Sequence, residues 1–163
     1  MKIYLPIPIE DIKKGELSDE IRKKLRESEL NKIDIDVSKA IYEVAKEKNL
    51  EEIGFEKAIE INDLIIITTK QKVGLLIGKG GSIAGALSKK LNKKIRIIKF
   101  AEDKHRTVAD LIKPATLKGI NIKYTKEGKV LKVRIDNKQK LPMDEPTLII
   151  ALTQFLGAKI ELA

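Results

Sequence analysis

Displaced by 65 residues, the second half of the chain falls on the first without a gap. Gly54 meets Gly119, Leu76 meets Leu141, Ala86 meets Ala151, Leu87 meets Leu152, Leu91 meets Leu156, Lys94 meets Lys159 and Ile95 meets Ile160. A sequence that returns on itself in this way encodes one small unit twice, so whatever fold suits the first copy must also suit the second. In a chain of 163 residues that leaves two small units, read as residues 33–101 and 102–163, behind an N-terminal extension of residues 1–32.

The extension alternates Ile3, Leu5, Ile7 and Ile9 around Pro6 and Pro8, which predicts an extended edge segment through Glu10. Ser18 then caps a short charged helix with Ile21 and Leu25 one turn apart. Ile33, Ile35 and Val37 alternate with Asp34 and Asp36 and read as a short strand, with Asp36 or Ser38 opening a helix that ends near Asn49. Gly54 opens two strands, Phe55 to Ile61 and Leu64 to Thr69, turned by Asn62-Asp63. A helix from Gln71 to Ile77, a second from Ser82 burying Ala84, Leu87 and Leu91 and stopped by Asn92, and a strand from Lys94 to Phe100 complete the unit. The second copy gives a helix from Lys104 to Ile112, strands Ile120 to Thr125 and Lys129 to Ile135 around Glu127-Gly128, a helix from Pro146 to Leu156 and a strand from Lys159 to Leu162. The fold class is therefore α+β, each copy running helix, strand, strand, helix, helix, strand, with helices on one face of a three-stranded sheet.

Within the first copy, five of the chain's 10 glycines fall between Gly74 and Gly85, inside an apolar helical pattern that helix propensity alone would not place them in. Ile77-Gly78-Lys79-Gly80-Gly81-Ser82 reads as a tight connection between two helices, with bare amides and a lysine at the start of the second. Such a place suits a phosphate, because amides and the positive end of the helix dipole converge there. The formal net charge of +9 points the same way, and its location sharpens the point. From Leu64 to Ala101 there is no Asp or Glu, while Lys70, Lys72, Lys79, Lys89, Lys90, Lys93, Lys94, Arg96 and Lys99 all occur.

These residues carry a family resemblance. The element order and the run LIGKGGSI, with Gly78 and Gly81 as its fixed glycines, resemble the type II KH domain and its GXXG signature. Two such units in series, from about Ile33 to the end, resemble the archaeal NusA-like proteins, relatives of a bacterial transcription elongation and termination factor. The resemblance implies a grip on single-stranded RNA, about four nucleotides at a time, in a groove beside the loop. Carried onto this chain, the loop Gly78 to Gly81 would hold the sugar-phosphate backbone. Ile77 and Ala84 would floor the groove, Ser82 would open the second helix, and Lys72, Lys79, Lys89 and Lys90 would supply positive charge. Some relatives carry cysteine pairs near the N-terminus that look zinc-binding; Ser18 and Ile21 stand there instead, and a chain without cysteine holds no thiolate zinc site.

The second copy departs from the pattern at the loop, where Leu141-Pro142-Met143-Asp144-Glu145-Pro146-Thr147 replaces LIGKGGS. Prolines lack amide donors and the two acids repel phosphate, so no RNA contact is expected there. The helix that follows, from Leu148, is apolar nearly all round and is expected to lie buried against the first copy, or else to form a protein interface. Phe55, Phe100 and Phe155 are expected in the core rather than as stacking platforms. The single histidine, His105, lies in a charged linker, no nucleophile is paired with a base, and carboxylates form no metal-binding cluster, so neither an enzyme nor a cofactor or metal site is expected. The absence of cysteine and of a membrane-length apolar run suits a cytoplasmic protein with no membrane partner. Three roles remain open: a transcription factor acting on RNA near RNA polymerase, an accessory of ribosomal particles or RNA processing, and a protein-interaction module with a relic loop.

Overall fold

The computed structural model describes Met1–Ala163, with an α+β fold divided into two units, Met1–Phe100 and Ala101–Ala163. The first begins with a short strand, β1 (Lys2–Tyr4), paired in parallel with β2 (Glu52–Gly54). Gly54 is what allows that approach, because a Cβ there would lie 2.7 Å from the Cβ of Tyr4. The extended segment is shorter than the alternation of isoleucines predicts. It stops at Tyr4, the chain bends at Pro6-Ile7, and Pro8 stands at the N-cap of α1 (Ile9–Lys14). Helix α2 (Asp19–Arg26) follows with Ser18 at its N-cap, although it is the Ser18 amide that is held, donating to Asp11 Oδ2 at 3.0 Å. Ile7, Ile21, Leu30 and Ile35 bury together beneath these helices, so residues 1–32 are tied into the first unit by both a strand and a small core.

The strand expected at Ile33 to Val37 is instead the first turn and a half of a long helix, α3 (Lys32–Glu47). Capping outweighs alternation here. Asn31 and Asp34 form a reciprocal capping box, and Asp34 is almost fully buried, accepting from the Asn31 amide at 3.0 Å and from the Ala58 amide at 2.8 Å. One carboxylate thus starts the helix and fastens it to the sheet. That sheet consists of β3 (Lys57–Ile61), β4 (Leu64–Thr69) and β5 (Lys94–Lys99), with β4 central, antiparallel to β3 and parallel to β5. Between β4 and β5 the chain makes α4 (Gly74–Ile77), much shorter than expected, a 3-10 turn at Lys79–Gly81, and α5 (Ser82–Leu91). Asn92 at φ 53° ends α5 in the left-handed conformation predicted for it. Val37, Ile41, Val44, Ile65, Ile67 and Leu87 are among the buried residues that join α3, α5 and the sheet into one core. On α5 the inward residues are Ile83 and Leu87; Ala84 is only half-buried, which corrects the predicted face.

The second unit runs α6 (Lys104–Ile112), β6 (Thr116–Thr125), β7 (Gly128–Asp136), a 3-10 turn at Lys138–Lys140, α7 (Glu145–Leu156) and β8 (Lys159–Leu162). Its sheet has the same plan, with β7 central, antiparallel to β6 and parallel to β8. The 65-residue displacement is not gapless in space. Leu64 lies opposite Lys94, the first residue of β5, and Val130 lies opposite Lys159, the first residue of β8, so the central strand has stepped by one residue relative to its flanking strand. Sequence identity at the helices hides that step. Helix α7 buries Leu148, Ala151, Leu152 and Leu156, yet Ile150 stays 43% exposed, so its apolar surface is not covered all round. No helix is long and apolar enough to cross a membrane.

Candidate nucleic-acid interface

The loop at Gly78 is a backbone device before it is a ligand site. Gly78, Gly80 and Gly81 all have positive φ, at 76°, 63° and 76°. At Gly78 space as well as φ requires glycine, since a Cβ would lie 2.7 Å from Ile83 Cγ1 and 2.8 Å from the Ile83 nitrogen. At Gly80 and Gly81 the same atom would meet nothing within 4 Å. The first glycine is therefore pressed onto the helix it leads into, and the next two face open space. The Gly78 amide donates to the Gly74 carbonyl at 2.8 Å, and the Gly81 amide to the Gly78 carbonyl at 3.1 Å, which closes the turn. Gly81 stands at the N-cap of α5 and offers no side chain to it. The positive end of that helix is consequently left uncapped, and Lys79 is exposed beside it.

The residues named from sequence distribute unevenly around this turn. Ile77, at the end of α4, is 39% exposed, and Ala84 is half-buried, so both can contribute apolar surface. Ser82, Gly85 and Lys89 are exposed at helical spacing and form one outward stripe of α5. Lys72, Lys79 and Lys89 are exposed and make no ion pair. Lys90 behaves differently. Its ammonium lies 2.9 Å from Glu47 and 3.1 Å from Glu43 of α3, and those hydrogen bonds raise its pKa above the ordinary lysine value. Lys90 is therefore a helix-to-helix tie rather than a free cation, which corrects its assignment to the basic rim.

The acid-free stretch of sequence is not acid-free in space. Lys93 pairs with Glu60 at 2.7 Å and donates to the Asn62 carbonyl, Lys94 lies 3.8 Å from Asp63, and Lys70 lies 3.5 Å from Glu56 and 5.0 Å from the Phe100 ring. Lys99 donates to the carbonyls of Lys70 and Gln71. Strand pairing and helix packing thus bring carboxylates from α3, β3 and the turns to four of the lysines, and backbone carbonyls to a fifth, Lys99. What is left uncompensated is narrow and centred on the turn: Lys72, Lys79 and Lys89.

The corresponding turn of the second unit has the opposite chemistry. Asp144 is the N-cap of α7, its Oδ1 accepting from the Thr147 amide at 2.8 Å, and hydrogen bonding from the Thr147 side chain first and its amide second lowers the Asp144 pKa from the usual carboxylate value. Pro146 stands in the first turn of the helix and has no amide to offer. Here the chain's own carboxylate occupies the position where an external anion would sit.

No family model and no curated protein matches the chain. Among solved structures, the crystal structure of APE1850 is similar with a TM-score of 0.60 at 17% identity, over 76% of this chain and 95% of that one. The likeness is one of fold.

Proposed function

We propose that the protein is a non-enzymatic binder of single-stranded RNA, built from two type II KH-like units in the manner of archaeal NusA-like transcription factors. In this reading the first unit is competent and the second degenerate. The observation that carries it is the turn before α5: left-handed glycines with open space above them lead into a helix end that no side chain caps, next to an unpaired Lys79. A phosphate there would receive backbone amides, a helix dipole and an ammonium group together. Exposed Ile77 beside the turn supplies apolar surface of the kind a base can rest on.

The test is the double variant Lys79→Asp with Gly80→Asp in the full chain. Nothing lies within 4 Å of a Cβ placed at Gly80, and aspartate tolerates positive φ better than most residues, so the fold should persist by circular dichroism. Affinity for a short single-stranded RNA should fall steeply, and unchanged affinity would remove the loop from the site. For the unaltered protein, log affinity should fall against log salt with a slope of about −2 to −3, as for three or four neutralised phosphates. Co-purification scored for RNA polymerase subunits against ribosomal particles decides between a transcriptional role and a ribosomal or processing one.

A further inference from the structure

The hairpin of the second unit is longer than that of the first, and its extra residues have a chemistry of their own. Leu64 and Val130 are equivalent, each opposite the first residue of its parallel neighbour, so their antiparallel partners Ile61 and Lys123 are equivalent as well. Only Asn62 and Asp63 lie between the first pair, whereas residues 124–129 lie between the second. Strand β8 begins its pairing at Val130, so the added part of the hairpin extends past the strand beside it.

Tyr124 in that added part is 79% exposed, and Ile122 just before it is 53% exposed. Tyr124 faces Lys129 across the hairpin and Ile122 faces Leu131, so Tyr124, Ile122 and Lys129 share one side of the ribbon. Lys126 lies in the turn beyond them, and Lys123, between Ile122 and Tyr124, projects from the other side of the ribbon. None of these three lysines makes an ion pair, in contrast to the compensated lysines of the first unit. Phe55 and Tyr42 are buried, Phe100 and Phe155 half-buried and Tyr4 46% exposed, so Tyr124 is the most exposed of the rings. An aromatic ring with an aliphatic neighbour, both in water and ringed by free ammonium groups, matches a partner that has flat faces and negative charge together. A carboxylate peptide would use the lysines and leave the ring unmatched. A duplex would hide its base faces in the stack.

We propose that the β6–β7 hairpin is a second contact for single-stranded nucleic acid, with a base stacked on Tyr124 against Ile122 and phosphates held by Lys126 and Lys129. This contact is separate from the glycine turn and does not depend on it. The chain has no tryptophan, so Tyr124→Trp gives it a single tryptophan, at the site, while keeping a stacking ring. Titration with a short oligouridylate should quench its emission, both with the glycine turn intact and with Lys79→Asp/Gly80→Asp, the second at higher RNA concentration. Tyr124→Ala should weaken binding about tenfold, the loss of one stacked base. Lys126→Glu with Lys129→Glu should make the salt slope shallower. Unchanged tryptophan emission while labelled RNA reports saturation by anisotropy would overturn the proposal. So would equal quenching by polyglutamate, which would make the hairpin a surface for acidic peptides.

Discussion

Two turns at equivalent places in the two units show how an anion-accepting helix end is kept open or closed. Before α5, glycines at positive φ bring the chain in with no side chain at the N-cap, so the helix end is free. Before α7, Asp144 bends back onto the Thr147 amide, and a proline follows. Both solutions satisfy the backbone rules for starting a helix, and they differ in who supplies the negative charge. In one unit the chain supplies none; in the other Asp144 supplies it.

That contrast can be broken most forcefully at Gly78. Gly78→Val places a branched side chain against Ile83 at a positive φ, and should cost about 3 kcal/mol or more in urea unfolding of the full chain. Gly80→Ala, with the φ penalty but no clash, should cost about 1–2 kcal/mol. If the two variants are equally stable, the close packing of Gly78 on α5 is not what fixes the turn. A smaller effect separates adjacent lysines. Lys89→Ala should weaken binding of a short RNA about threefold to fivefold, as for one lost phosphate contact, while Lys90→Ala should leave affinity within about twofold because α3 already holds that ammonium. Equal losses from both would mean the Glu43 and Glu47 pairs open on binding. The smallest effect belongs to the closed turn. Asp144→Ala should lower the melting temperature slightly at pH 7 and leave RNA affinity alone. Because the folded-state pKa of Asp144 is depressed, its contribution exists above the unfolded carboxylate pKa and disappears as pH falls through the folded value. The gap between parent and variant should therefore close in acid. A gap that widens there would assign the effect to something other than the cap.

Much of this layout was legible in the residues. The repeat placed β5, β8, α6 and α7 within a residue or two, and the glycine cluster marked the turn where three positive φ angles occur. Local rules sufficed there because glycine and asparagine have conformational options that other residues lack. What the sequence concealed were matters of partnership. Alternating Ile33, Asp34, Ile35, Asp36 and Val37 fits a strand until Asp34 is seen to serve both Asn31 and Ala58, and the second of these lies on a distant strand. The lysine-rich stretch looked uniformly free because its carboxylates are far away along the chain, on α3 and β3. Asn31 three residues before Asp34 was a capping signal that could have been weighed above the alternation. Tyr124 had no such signal; only the register across the hairpin reveals that it lies beyond the neighbouring strand.

The contact between Gly78 and Ile83 also limits the order in which such a copy could change through single replacements. Any side chain introduced first at that glycine would damage the structure before it altered what the turn holds. Met143, 65 positions later, is therefore accommodated only because the path of the chain around it was redrawn, with a capping acid and prolines in place of the glycines. The two turns differ in the whole approach to the helix, and a lone replacement of Met143 by glycine would not create the geometry of the glycine turn.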